Sequence, residues 1–271
     1  MPTSRVVEIV PDREHPGAFT LRVDGTDQSY VDVADPTRLE FDYVQRIADV
    51  IDTWATAGEP LRVVHVGGAG MTVARYVAAT RPRSAQVVLE PDEALTAMVR
   101  AQMPLPPRSG IKVRPVDGRA GVAAMRDDFA EVLVLDAFDG ARIPADLTTA
   151  EFITDVARVV GDGLFVLNLA DRAPFAYVRR VMRGVLGVFP EVMLSAEPAT
   201  LKGRRFGNVL VTASRGPIPV VPLTRRAASS PLPYRVLSHH EALERFAGGT
   251  PFTDADAERS PAPPGGATFF A

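Results

Sequence analysis

The chain has 271 residues, a formal net charge of −3, 46% hydrophobic and 23% charged residues. That composition suits a folded unit with a sizeable core, and it gives no global attraction to nucleic acid or to an anionic membrane. Cysteine is absent, which excludes disulfides and thiolate metal sites. The first residues lack an apolar leader and no stretch approaches roughly 18 apolar residues, so a cytoplasmic chain with no membrane span is expected.

Residues 1–35 alternate apolar and polar positions in three short runs, around Val6–Val10, Phe19–Val23 and Ser29–Val33, broken by Pro-Asp, Pro-Gly and Asp-Gly. This predicts a small N-terminal antiparallel β unit. Three strands bury little alone, so the unit is expected to pack on the main domain or on a partner chain, in a homodimer or a higher homo-oligomer. Residues 36–213 then alternate helical and strand patterns. A helix is predicted within Leu39–Trp54, where Phe41, Val44, Ile47, Ala48 and Ile51 share a face. Strands are predicted at Leu61–Val66, Gln86–Leu89, Lys112–Val116, Glu131–Leu135 and Leu164–Leu169, each followed by a helix. Such alternation indicates a parallel sheet covered on both faces. Val192–Ala196 and Asn208–Thr212 are joined by a short basic loop, too short for a crossover helix, and should be antiparallel neighbours. Residues 214–271, rich in Pro, Ser and Ala, read as a peripheral C-terminal extension, partly disordered, with one helix near Ser238–Phe246.

The positions that can carry chemistry fall at the carboxyl ends of successive predicted strands. Gly67-Gly68-Ala69-Gly70 joins the first strand to its helix, a turn that lets backbone approach a ligand. Gly68-x-Gly70 is followed by Val73 where the dinucleotide pattern needs a third glycine, which favours a cofactor without phosphates. Glu90 ends the second strand, where an acid can accept hydrogen bonds from ribose hydroxyls. Asp117-Gly118 ends the third strand, as a helix cap or as a contact to an adenine amino group. Asp136-Ala137-Phe138-Asp139 follows the fourth strand. One of its carboxylates could take a proton from an amine and the other could hold a cation. Thr148-x-x-Glu151 reads as a capping box. His65 reads as a packed core residue, and the four histidines show no metal-ligand spacing, so no metal site is expected.

In this order, the glycine turn, the strand-end Glu, the Asp-Gly and the Asp-x-x-Asp resemble spermidine synthases and their actinobacterial spermidine synthase-like relatives. The segment Val23–Gln28 is similar to that family's hairpin ending in glutamine, and Phe41-Asp42-Tyr43 to its aromatic-x-Tyr. The resemblance spans about residues 5–213. It implies a Rossmann-like, methyltransferase-type doubly wound sheet with a small N-terminal β unit, and oligomers. It also implies aminopropyl transfer from decarboxylated S-adenosylmethionine to a small-molecule amine. Carried over residue by residue, Glu90 would bind ribose and Asp117 adenine. Asp136 would be the general base, and Gln28, Tyr43 and Asp139 would line the amine side.

The chain departs from that pattern at Gly70, where the family has an acid, at Val44, and at Gly140, where it has a proline. The nucleoside half is kept and the amine-handling half is altered. A methyltransferase using S-adenosylmethionine and a non-catalytic nucleoside-binding homologue therefore stand as alternatives.

Overall fold

In the computed structural model, which describes residues 6–264, the opening strands form a three-stranded antiparallel sheet. It contains β1 (Val7–Pro11), β2 (Ala18–Val23) and β3 (Thr26–Asp32) in that order. Asp24 and Gly25 both have positive φ and make the turn between β2 and β3. That conformation matches the twist of paired strands. The pairing then shifts: Leu21 faces Ser29, but Arg22 faces Asp27, so Gln28 has no opposite residue. A bulge of this kind bends the strand and re-aims side chains. Leu21 and Val31 pack with Met71, Ala74, Val88, Leu95, Val99 and Met103, which seats the unit on the main body.

The alternating region builds α1 (Asp42–Trp54), β4 (Arg62–Val66), α2 (Thr72–Thr80), β5 (Ala85–Leu89), α3 (Glu93–Gln102), β6 (Ile111–Arg114), α4 (Gly118–Ala123) and β7 (Val132–Leu135). It continues with α5 (Ala150–Val160), β8 (Leu164–Asp171), α6 (Ala176–Leu186), β9 (Glu191–Ala196), α7 (Pro198–Leu201) and β10 (Gly207–Ser214). Beyond it lie α8 (Val220–Ser229), β11 (Arg235–Leu237) and α9 (His239–Phe246). The large sheet has the order β11-β9-β10-β8-β7-β4-β5-β6. Strands β6, β5, β4, β7 and β8 are mutually parallel, and β10 is antiparallel to both β8 and β9. This is the doubly wound, methyltransferase-type sheet read from the sequence.

Side-chain alternation divides the core between the two faces of the sheet. Val132 and Val134 of β7 join Ile47, Ile51 and Val77 on one face. Leu133 and Leu135 join Phe152, Ile153 and Val178 on the other. Burying each such aliphatic side chain is worth roughly 1.5–3 kcal/mol. From β4 the strand order runs to β5 and β6 on one side and to β7 and β8 on the other, so the direction in which strands are added reverses there. The helices after β4 and β7 consequently leave on different faces and open a crevice at the carboxyl ends of these strands.

Two local readings change. The cap of α5 is Thr149, whose side chain accepts the Phe152 N–H, while Thr148 bonds the Tyr177 hydroxyl. Glu151 instead accepts the N–H of Asp254, which lies 103 positions further on. In the C-terminal segment, α9 is present, with Ser238 and Glu241 as its capping box. The segment also supplies α8 and the sheet-edge strand β11. Residues 265–271, the end of the expected extension, lie outside the described residues. Among the described residues, no helix is long and apolar enough to cross a membrane, and no group of three or more His, Asp or Glu could hold a metal.

Leu21 is fully buried between the small sheet and the main body. Leu21→Ala should lower unfolding stability by about 2–4 kcal/mol, read as a reduced urea midpoint at unchanged slope.

Candidate active site

A cavity of about 1350 Å³ opens at the carboxyl ends of β4, β5 and β7, closed on its other sides by β3, the start of α1 and the loop before β10. Of the residues singled out from the sequence, Gln28, Tyr43, Gly67, Gly68, Glu90, Asp117, Gly118, Asp136 and Asp139 border it. Gly70 does not. A Cβ at Gly70 would meet the Ser29 Cβ at 2.7 Å and Val31 Cγ2 at 2.8 Å. The glycine therefore lets the small sheet approach the turn, and Ser29 and Val31 fill the space that a side chain there would take.

The glycine turn is held by side chains from three elements. Glu90 Oε2 accepts the N–H groups of Gly68 at 2.9 Å and Ala69 at 3.2 Å. Ser29 Oγ accepts the Gly70 N–H at 3.1 Å, and Arg75 Nε donates to the Gly70 carbonyl at 3.1 Å. A carboxylate thus occupies the position where a dinucleotide fold would bind pyrophosphate. Two glycines are required by close approach. A Cβ on Gly67, at φ +96°, would lie 2.3 Å from the Asp136 carbonyl oxygen, and one on Gly68 would lie 2.7 Å from the Glu90 Cβ.

Glu90 Oε1 accepts the Asp92 N–H at 3.0 Å. A carboxylate offers about four acceptor positions, so one remains, on a residue that borders the cavity. Asp117 caps α4 through the Ala120 N–H at 2.8 Å and still borders the cavity. Gly118 is there for packing, because a Cβ would lie 2.3 Å from Val66 Cγ1. With acids at the ends of β5 and β6 and a turn stripped of side chains, the wall fits an uncharged nucleoside.

Asp136 stands at the end of β7, on the other side of the glycine turn. Asn168 Nδ2 donates to its Oδ1 at 2.9 Å, and the Tyr43 hydroxyl also hydrogen-bonds to it. Burial pushes the Asp136 carboxyl up to about 6, against the pull of these two donors. Burial, with Asp136 alongside, holds the Tyr43 phenol well above its ordinary range, so it stays protonated and donates. Asn208 Nδ2 donates to Asn168 Oδ1 at 3.0 Å, which fixes the amide orientation of Asn168. The buried Arg46 spans the same region, bonding the Ser195 carbonyl at 2.8 Å and Asp42 at 3.1 Å. Asn168, Asn208 and Arg46 escaped the sequence reading. A single polar residue inside the apolar run Val166–Ala170 was the available signal for Asn168.

Asp139 is paired with Arg259, 2.7 Å from its Oδ2. His65 is buried, as expected. The Gln86 amide donates to the Ala74 carbonyl, so its oxygen accepts from His65 Nε2 at 2.9 Å. Burial lowers the imidazole to about 4 and leaves it neutral at physiological pH.

Glu90 both braces the turn and faces the cavity. Glu90→Gln replaces one acceptor oxygen by a donor and should weaken methylthioadenosine binding at least about tenfold by calorimetry, a loss of roughly 1.4 kcal/mol or more. An unchanged affinity would remove Glu90 from the ligand site.

No family model matches the chain. It is 28% identical over 194 residues, 70% of its length and 69% of the relative's, to the polyamine aminopropyltransferase of Chromobacterium violaceum. Its fold is similar to that of a probable spermidine synthase from Corynebacterium glutamicum, with TM-score 0.86 and 26% identity over 93% of this chain and 94% of that one. The spermidine synthase of Thermotoga maritima has the same fold at TM-score 0.60 and 16% identity, over 92% of this chain and 83% of that one. In sequence and in fold, the chain is a relative of the spermidine synthases, the family that its strand-end residues resemble.

Proposed function

We propose that the chain is an aminopropyltransferase-like enzyme, with decarboxylated S-adenosylmethionine as donor and a small amine as acceptor. The observation that carries this reading is Asp136, a half-buried carboxylate bordering the cavity at the end of β7, held by Asn168 and Tyr43 and raised to about 6. The reaction class is supported by the similarity to a polyamine aminopropyltransferase and a probable spermidine synthase.

In this reading the nucleoside of the donor lies along Gly67 and Gly68. Glu90 meets its ribose and Asp117 its adenine. The donor supplies a carbon activated by the adjacent sulfonium. Asp136 takes one proton from the acceptor's ammonium. The freed nitrogen lone pair bonds to that carbon, the carbon–sulfur bond breaks, and its electron pair neutralises the sulfur. Methylthioadenosine and a secondary ammonium result, and Asp136 returns its proton to water. A carboxylate raised toward the amine range lowers the cost of the first step relative to an exposed one. Gln28, turned inward by the bulge, and Tyr43 position the amine.

A working Asp136 must be ionised, so turnover should fall as pH drops through about 6. Asp136→Asn should lower turnover by about 10²–10⁴ while leaving methylthioadenosine affinity nearly unchanged. The same variant has a stability signature. Because the folded carboxyl titrates near 6 against an ordinary 3.8, its contribution to stability is complete below about 3.8 and is lost as pH rises through 6. Asp136→Asn should therefore melt higher than the unmodified chain at pH 8 and show no such gain at pH 3.5. Equal turnover in the two proteins would reject Asp136 as the base. Methyl transfer from S-adenosylmethionine, or nucleoside binding with no transfer to any amine, would establish one of the two alternatives instead.

A further inference from the structure

Asp136 is held by two supports that reach it from different elements. The Tyr43 hydroxyl comes from the first turn of α1, and Asn168 comes from β8 with Asn208 of β10 behind it. Arg46 connects the two supports from outside. It is 1% exposed and is not among the described residues that border the cavity. Its place three positions after Tyr43 puts it beside that residue on α1. Arg46 Nη1 donates to the Ser195 carbonyl at 2.8 Å and to the Asn208 carbonyl at 3.3 Å. Nη2 donates to the Asn208 carbonyl at 3.4 Å and to Asp42 Oδ2 at 3.1 Å. One guanidinium thus joins the start of α1, the end of β9 and the start of β10. Asn208 is gripped twice, on its main chain by Arg46 and through its side chain, which donates to Asn168 Oδ1 at 3.0 Å.

Stability alone does not call for this residue. Taking a guanidinium out of water is unfavourable, and its surroundings offset that cost only in part. Arg46 Nε is buried with no hydrogen-bond partner among the described residues, and Asp42, its ion-pair partner, is 39% exposed. An apolar side chain of similar length would fill the same space without desolvating a charge. It could not fix acceptors on three separate elements, which the planar donor fork of arginine does. A shift of α1 against β10 would move the Tyr43 hydroxyl and the Asn208 amide relative to each other, and Arg46 is bonded so as to resist that shift.

We propose that Arg46 is a positioning residue for the base: it locks α1 to β10 so that Tyr43 and the Asn208–Asn168 pair hold Asp136 at once. The inference rests on the aminopropyl-transfer reading for the identity of the base. The groups facing Asp136 make the effect readable. Tyr43 donates from α1, with the paired Asp42 and Arg46 beside it. Asn168 donates from β8. On β4 His65 is neutral, and beyond the glycine turn Glu90 is bonded to backbone N–H groups. Asp139, three positions along, is paired with Arg259. Both donors pull the Asp136 carboxyl down against burial, so loosening them lets it rise further.

The test compares the full chain with Arg46→Met, which keeps the bulk, and Arg46→Lys, which keeps the charge and loses the fork. Four quantities are measured: melting temperature, methylthioadenosine affinity by calorimetry, the titration of the Asp136 carboxyl carbon by NMR, and product formation from decarboxylated S-adenosylmethionine with butylamine or 1,4-diaminobutane. Arg46→Met should melt within about 4 °C of the unmodified chain and bind methylthioadenosine equally well. Its turnover should fall by about tenfold to a hundredfold. Its Asp136 titration, and with it the acid limb of the rate profile, should move upward by about one pH unit. Arg46→Lys should show the same loss and the same upward movement, and it carries the test alone if Arg46→Met does not fold. The proposal is overturned if the Asp136 titration stays in place in these variants, if Arg46→Lys behaves as the unmodified chain, so that charge alone suffices, or if methylthioadenosine affinity falls as far as turnover. An unmodified chain that makes no product from either amine would count against the transfer reading, and the NMR titration would then decide the role of Arg46 by itself.

Discussion

Glu90 receives the N–H groups of Gly68 and Ala69 on one oxygen and that of Asp92 on the other. This fastening ties the end of β5 to the turn after β4 and to the start of α3. The part of the cavity wall between β4 and β5 depends on it. The turn can lie so close to Glu90 only because Gly68 has no Cβ, and so close to Asp136 only because Gly67 has none and adopts positive φ. Charge-assisted bonds to backbone N–H groups are among the stronger hydrogen bonds available to a protein. They also fill the anion-binding position of the fold with the chain's own carboxylate.

On the far side of the turn, a second carboxylate is treated in the opposite way. Glu90 accepts from three backbone N–H groups, whereas Asp136 has two side-chain donors, and desolvation dominates its titration. The base role proposed for Asp136 needs a carboxylate whose two protonation states are close in free energy. The Asn208–Asn168–Asp136 chain of hydrogen bonds keeps the acid aimed while leaving Asp136 able to change charge. Asn208 lies in β10, Asn168 in β8 and Asp136 at the end of β7, so this chain of hydrogen bonds crosses three adjacent strands of the sheet.

The small N-terminal sheet is part of this site as well as a cover for α2 and α3. Ser29 caps the Gly70 N–H, Tyr30 takes the Thr72 hydroxyl on its carbonyl, and the bulge at Gln28 points a side chain at the cavity. Gly70 is coupled to this docking, since Ser29 and Val31 stand where a side chain at that position would go.

The sequence by itself determined the alternating strand–helix order, the antiparallel end of the sheet, the small β unit, and the strand ends that carry Gly67, Glu90, Asp117 and Asp136. These follow from periodicity and from the rule that parallel strands present their carboxyl ends at one edge, both of which are local or topological. Tertiary structure alone decided which partners those residues take. Glu90 spends three acceptor positions on backbone, Gly70 faces β3 instead of the cavity, and Asp139 meets Arg259, 120 positions further along the chain. It also ordered α8 and β11, whose Pro, Arg and Ser content carries no clear period and whose few buried residues, such as Leu223 and Leu237, find their place only against the finished sheet. Hydrogen bonds and ion pairs between distant segments depend on three-dimensional proximity that no local pattern encodes, so the positions of the site's residues were legible in the sequence and their charges and commitments were not.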